Sequence, residues 1–496
     1  MKLLCVSVAA LLASTAAYAA DLPTKKGAPV VPEKPNCFSS LYAYFNSTPA
    51  DCPLTYWGLT FYATIDMGVG YETHGVPFNG TMHIGVEELI QKNGNKALWL
   101  ATPNGLSQSQ VGLKAKEPLG AGWSFVGEVA TGFDPYSLQL ANGVGAQVEN
   151  DHTALPFQTA NADSSRAGQA YNSVGYAGVS HDTFGTLTFG RQNALTLDGV
   201  NAYDPMGGSY AFSLIGWSGK TAGAGQTETA RINTGLKYAV NLPYGLRVDA
   251  IAQFGGIADY NGSNGQWQAG IGGDFFNKTL SVDAIYSEAK DQVSLGTFNN
   301  LPGASGGPPL SMPNALKATI DNADAFMLLG KYKWNQFTIY GGWEHMYFTN
   351  PSDHIATSFT DIEFGQAITQ ASSYTAFNKP LNFDVLWTGG KYAVTDQIDL
   401  VGAYYLYIQQ NYLATQTATS CNANTTAAYK GFSPQGTNSA NCKGYEDVWS
   451  GLIDYRPLKR VDLYAGVMYS KVSGGLATGY LESDNLAPTA GIRVRF

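Results

Sequence analysis

Leu59-Thr60-Phe61-Tyr62-Ala63-Thr64-Ile65-Asp66-Met67-Gly68-Val69-Gly70-Tyr71 alternates with a period of two. Leu59, Phe61, Ala63, Ile65, Met67, Val69 and Tyr71 form one apolar face. Thr60, Tyr62, Thr64, Asp66, Gly68 and Gly70 form a face of small and polar residues, Tyr62 the largest. Successive side chains of a strand point to opposite sides, so this reads as a half-buried strand. It is longer than the ~5–6 residues usual in soluble strands. A tilted membrane-crossing strand of ~9–11 residues with an overhang accounts for the length. The pattern returns at Val111–Ala115, Leu246–Phe254, Leu280–Tyr286 and Val461–Tyr469.

Period two fits a soluble sandwich and a membrane barrel equally, and the connectors separate them. Very short turns, such as Gly120-Ala121-Gly122, Pro243-Tyr244-Gly245, Asn277-Lys278 and Pro457-Leu458-Lys459, alternate with long polar stretches. The long stretches fall near 72–107, 134–169, 197–228, 293–322, 349–380, 411–445 and 473–487. Alternation places every short turn at one end and every long loop at the other, as in a transmembrane barrel. The expected fold is all-β: an antiparallel transmembrane barrel over 59–496 with about sixteen strands. Their expected starts include Leu59, Gln108, Trp123, Tyr171, Thr186, Thr229, Leu246, Asp447, Val461 and Thr489. Sixteen strands leave an aqueous lumen, and no globular plug precedes Leu59.

The start of the chain reads as an export signal over 1–19. Lys2 precedes the apolar run Leu3 to Leu12, and Ala17-Tyr18-Ala19 offers small residues for cleavage after Ala19. Cys5 lies before the apolar run, which argues against a lipoprotein site. Residues 20–58 read as a periplasmic lead-in without regular structure, beginning with Pro and Lys. Past the signal there is no apolar run near the ~20 residues of a membrane helix. The composition has 12% aromatic residues, 30 Tyr, 57 Gly and only 14% charged residues, against a usual ~25%. Low charge and many tyrosines suit a lipid-facing surface with aromatic rims.

The net charge of −9 argues against nucleic acid as a partner. Cys37, Cys52, Cys421 and Cys442 remain after cleavage and allow three pairings. The local pairs Cys37–Cys52 and Cys421–Cys442 are preferred, since each closes a short polar loop in an oxidising compartment. No His-Glu-x-x-His pair, no zinc-ligand cysteine spacing and no phosphate-binding glycine loop is present. The reading is therefore of a non-enzyme with no cofactor and no metal.

Four stretches carry a family resemblance: Ser109-Gln110-Val111-Gly112-Leu113-Lys114 with Pro118-Leu119-Gly120; Tyr176–Val179 with Phe184–Gln192; Arg231–Tyr238; and Gly491-Ile492-Arg493-Val494-Arg495-Phe496. In this order they resemble the general porins of Gram-negative bacteria from Leu59 to the end. The Cys37–Cys52 lead-in resembles the α-proteobacterial branch.

The resemblance implies an outer-membrane homotrimer of sixteen-stranded barrels, bounded by lipid and lipopolysaccharide and passing small hydrophilic solutes. It implies that Phe496 is a signal to the barrel-assembly machinery. It also implies that the third long loop, 197–228, folds into the lumen and sets its acids against arginines of the facing wall. The loop carries Asp198, Asp204 and Glu228. Arg231 matches a wall arginine and points inward by parity, whereas Gln110 and Ser173 stand where many members have arginine. Lys114 and Arg247 also face inward by parity, and Arg191 faces outward, like a trimer contact. Asp66, Glu128, Asp249, Asp283, Glu344 and Asp384 are the acids expected to face the lumen. The acid-rich balance gives a weak expectation of cation selectivity. The alternatives are a substrate-specific channel, with Tyr62, Tyr340 and Tyr464 as a sugar track, and surface binding by the long loops.

Overall fold

The computed structural model describes residues 36–77, 88–91, 94–138, 140, 170–215, 230–254, 265–292, 300–301, 310–311, 321–349, 380–410, 443–477 and 480–496. Sixteen antiparallel strands close on themselves. They are β1 (Leu59–Gly75), β2 in two pieces (Lys96–Pro103 and Gln110–Gly120), β3 (Trp123–Gly132), β4 (Val174–His181) and β5 (Gly185–Asn193). Next come β6 (Arg231–Asn241), β7 (Leu246–Gln253), β8 (Gly265–Phe275), β9 (Leu280–Gln292), β10 (Asp321–Trp334) and β11 (Phe337–Thr349). The last five are β12 (Leu381–Ala393), β13 (Ile398–Gln409), β14 (Gly444–Leu458), β15 (Val461–Gly474) and β16 (Asp484–Arg495). Each pairs with its neighbours, and β16 pairs back with β1, Thr489–Arg495 against Thr64–Gly70.

Turn chemistry sets the short-turn end. Gly120, Ala121 and Gly122 all have positive φ, +95°, +50° and +80°, the left-handed backbone a tight hairpin needs. The stretch 72–107 is not all loop, as it was expected to be. Its last part, Lys96–Pro103, is the upper half of β2 and pairs with the upper half of β1. The break at 104–109 is held by Asp66, whose Oδ2 accepts from Leu106 N and Ser107 N at 2.8 and 2.9 Å.

The outer face is apolar and ends in two aromatic rims. Trp334 and Phe337 (6.2 Å) and Phe337 and Tyr392 (4.4 Å) belong to the rim near the short turns. Trp267–Tyr286 (5.2 Å), Phe326–Trp343 (6.1 Å) and Tyr404–Trp449 (4.3 Å) belong to the other. Acids mark where the apolar band stops. Trp267 Nε1 donates to Glu288, Trp343 Nε1 to Asp384 and Tyr404 Oη to Asp447. Asp384 was expected inside. It lies on the outer face with Leu386, also bonded to His345 at 2.9 Å, because Phe383, Val385 and Trp387 occupy the inner face.

The described part of the lead-in, 36–58, has regular structure, which its composition did not suggest. Ser40 caps a short helix, α1 (Leu41–Phe45), and Leu54–Tyr56 pairs with Leu59–Phe61 of β1. The Cys37–Cys52 disulfide closes the intervening chain, with Cα atoms 6.3 Å apart. Inside that ring sits Arg460, 0% exposed, from the β14–β15 turn. Its Nε donates to Tyr44 O, and Nη2 donates to Thr48 O and Cys52 O, at 3.1, 3.1 and 2.6 Å. Phe45 packs edge-on against Phe496 at 5.9 Å. The lead-in thus completes the β1 edge below the point where β16 stops. A closed loop of this size stabilises by about 3 kcal/mol through the unfolded state. Cys37→Ser with Cys52→Ser should lower the heat resistance of the folded barrel in detergent gels while leaving single-channel conductance unchanged. The other expected pair, Cys421 and Cys442, lies outside the described residues, as do the signal segment and Glu228.

Candidate functional site: a constricted lumen

After β5 the chain turns into the barrel instead of out of it. Leu195–Tyr203 forms helix α2. Its N-terminal residue Ala194 offers no side-chain cap. A wall residue supplies the acceptor instead: Gln268 Oε1 accepts from Leu195 N and Thr196 N, two of the four amides a helix start leaves open. Gly199 lets the helix approach the wall, since a Cβ there would lie 2.8 Å from Leu329 Cδ1.

The wall opposite is apolar, not polar as simple parity suggests. Ile285, Met327, Leu329, Phe383, Val385 and Trp387 face inward and are buried against Leu197, Val200, Tyr203, Phe212, Leu214 and Ile215 of the loop. Six fully buried side chains contribute on the order of 10 kcal/mol before entropy losses. The inserted loop is therefore a packed part of the barrel. It confines the open space to the side of β2–β6 and the vestibule toward the short turns.

Asp204 is 2% exposed, its carboxylate held between the loop and the wall. Tyr405 Oη donates to it at 2.6 Å, Gly208 N at 2.8 Å and Met206 N at 3.2 Å. Burial raises its carboxyl above the usual range, while these donors pull the other way. It fixes the turn after α2 in which Gly207 and Gly208 take positive φ. Asp204→Ala should orphan these donors and make the open-channel current noisier. Asp204→Asn, which keeps an acceptor, should stay quiet.

The remaining expected site residues divide by place. Lys114 and Arg231 line a cavity of about 630 Å³ between the loop and the β2–β6 wall, together with Asp198. Asp198 Oδ2 lies 2.6 Å from Lys237 Nζ, a wall base that shares Arg231's parity on β6. Lys114 Nζ lies 3.6 Å from Glu128 Oε1. Arg247 lies below α2, in a second cavity of about 460 Å³. It bonds Asp283 and the Tyr203 hydroxyl, so it braces the helix from beneath. The Tyr203 hydroxyl is pushed up by burial and by Asp283. Arg191 points outward, with Nε and Nη2 donating to Asn172 O and Nη1 to Asn233 Oδ1.

A third cavity, about 500 Å³, lies toward the short turns. Its charges form a ladder in which Arg493 and Arg495 hold Asp462, and Arg456 holds Asp399 and Asp454. Asn201 and Gly207 border both this cavity and the first, so the spaces meet beside the loop. Tyr62, Tyr340 and Tyr464 do not form a track. Tyr62 lines the first cavity and Tyr340 the third, while Tyr464 is buried with its hydroxyl on Asp66.

A closed barrel with a loop packed in its lumen and connected cavities beside it is a constricted channel, and the sequence matches a family of such channels. A family model described as Gram-negative porin matches residues 6–475. The chain belongs to the Gram-negative porin family. It forms an outer-membrane porin channel. No curated protein matches the porin's sequence.

Among solved structures it is similar to an anion-selective porin from Comamonas acidovorans, at 14% identity and TM-score 0.54, over 88% of this chain and 99% of that one. It is also similar to a loop L8 deletion mutant of OmpT from Vibrio cholerae (14%, TM-score 0.51, 88% and 99%). A trimer form of the same Vibrio protein gives 13% identity and TM-score 0.50, with the same coverage. At such identities the likeness is one of fold.

Proposed function

We propose that this porin passes small hydrophilic solutes and ions by passive diffusion through a fixed, weakly charge-selective constriction. The observation that carries this is the lining of the main cavity. It holds Lys114, Arg231 and Lys237 against Glu128 and Asp198, three bases and two acids. Composition pointed weakly to cations, but the acids that dominate the composition are not concentrated at this place. The proposal therefore sets selectivity near neutral. Under a KCl gradient the reversal potential should stay within a few millivolts of zero; a value near the ideal potassium or chloride potential would overturn it.

The porin is further proposed to be a homotrimer, as the trimer form of the Vibrio protein is, with Arg191 near the subunit contact and Phe496 read by the assembly machinery. The export signal over 1–19, the periplasmic place of the lead-in, and the contacts with lipid and lipopolysaccharide belong to the same proposal. Glu228 is kept as a candidate eyelet acid on sequence alone.

A further inference from the structure

Five charged side chains line the main cavity, and two acid–base pairs form within it. Lys237 and Asp198 tie the wall to the loop at 2.6 Å. Lys114 stands 3.6 Å from Glu128. The same carboxylate accepts from the hydroxyls of Tyr62 and Tyr176 at 2.5 and 2.9 Å. The fifth charge is Arg231, in register with Asn193 across β5 and β6. Paired charges act on a passing solute as short dipoles, whose reach in water is far less than that of a separated row of bases and acids.

The rest of the lining is neutral, and apart from Val126, Val174, Leu197 and Ala239 it is largely hydrogen-bonding on both sides. The wall presents Gln110, Ser173 and Thr186, and the loop presents Asn201 and Tyr210. The loop also presents backbone, since a Cβ on Gly207 would meet nothing within 4 Å. Amides and hydroxyls each both donate and accept, and so does the hydroxyl of a polyol. A polyol crossing here exchanges bonds to water for bonds of the same kind. An ion loses part of its water shell and finds little opposite charge to replace it.

We propose that the constriction favours small neutral polyhydroxylated solutes of about monosaccharide size over charged solutes of the same size and either sign. This rests on the diffusion-channel reading and names the substrate class of the same site. The cavity of about 630 Å³ falls in the ~300–1,000 Å³ range of small-molecule sites. Recognition is by hydrogen bonds, without a stacked aromatic track.

The test is uptake of glucose, glucosamine and gluconate into proteoliposomes of the full chain, with the membrane potential held at zero by KCl and valinomycin. Glucose should enter about threefold faster than either charged sugar, because an ion of either sign loses part of its water shell without full replacement. Gln110→Arg combined with Ser173→Arg should remove this preference and put gluconate first. A charged sugar that enters the unaltered channel as fast as glucose overturns the proposal. So does an arginine variant with unchanged ratios, because the neutral wall would then not be its cause. Uptake of none of the three, in vesicles shown to hold folded barrel, instead overturns the diffusion-channel reading beneath it.

Discussion

Arg231→Glu should move the porin's ion preference sharply toward cations. The change turns a lining of three bases and two acids into one of two bases and three acids. A unit charge about 6 Å from an ion's path interacts with it by roughly 0.7 kcal/mol in water. Reversal doubles that for each ion, with opposite signs for cation and anion, and salt near 0.1 M screens about half of it. The potassium-to-chloride permeability ratio should therefore rise about tenfold, with the barrel still folded. The same change at Arg247, which braces Tyr203 beneath α2, should act mainly on folding yield. An unchanged reversal potential in folded Arg231→Glu protein would remove Arg231 from the constriction.

Arg460→Ala should cost the barrel about 4 kcal/mol without changing what it conducts. The guanidinium is fully buried, and three carbonyls of the disulfide-closed ring depend on it. Hydrogen bonds from a charged group contribute ~1.5–3 kcal/mol each. Its face on the Tyr44 ring, 4.1 Å from the centroid, adds to this. Arg460→Lys should recover only part of the loss, since one ammonium does not reproduce a planar fork. The readouts are the temperature at which the folded band shifts in detergent gels and the conductance in bilayers. A variant as heat-resistant as the parent would show that the lead-in is not a clamp on the seam.

How much of this was legible in the sequence varies by element. The outward faces of β1, β7 and β15 followed from parity, because most apolar residues there share one face, Ile251 and Met468 being inward exceptions. Parity lost its sign on β12, where Phe383, Val385 and Trp387 share the interior with the inserted loop and Leu386 meets the outside. That is why Asp384 was misplaced. The loop's own anchors had no signal of their own, since Phe212 and Ile215 become core only once a wall is opposite them. Asp204 looked like a loop acid or a turn former, and a sequence does not show that Tyr405, some 200 positions away, donates to it. Lys237 was within reach, standing six residues after Arg231 on the same face of β6. Arg460 was out of reach, because its three acceptors are backbone atoms of a segment that composition marks as irregular.

The measurement that tests the account most directly is single-channel recording of the purified full chain in a planar bilayer. The account predicts stepwise insertions that close in three equal sublevels, each ohmic and low in noise, because the loop is packed in place. Folded, inserted protein that stays silent, or that opens only when one solute is added, would contradict a permanently open, constricted porin.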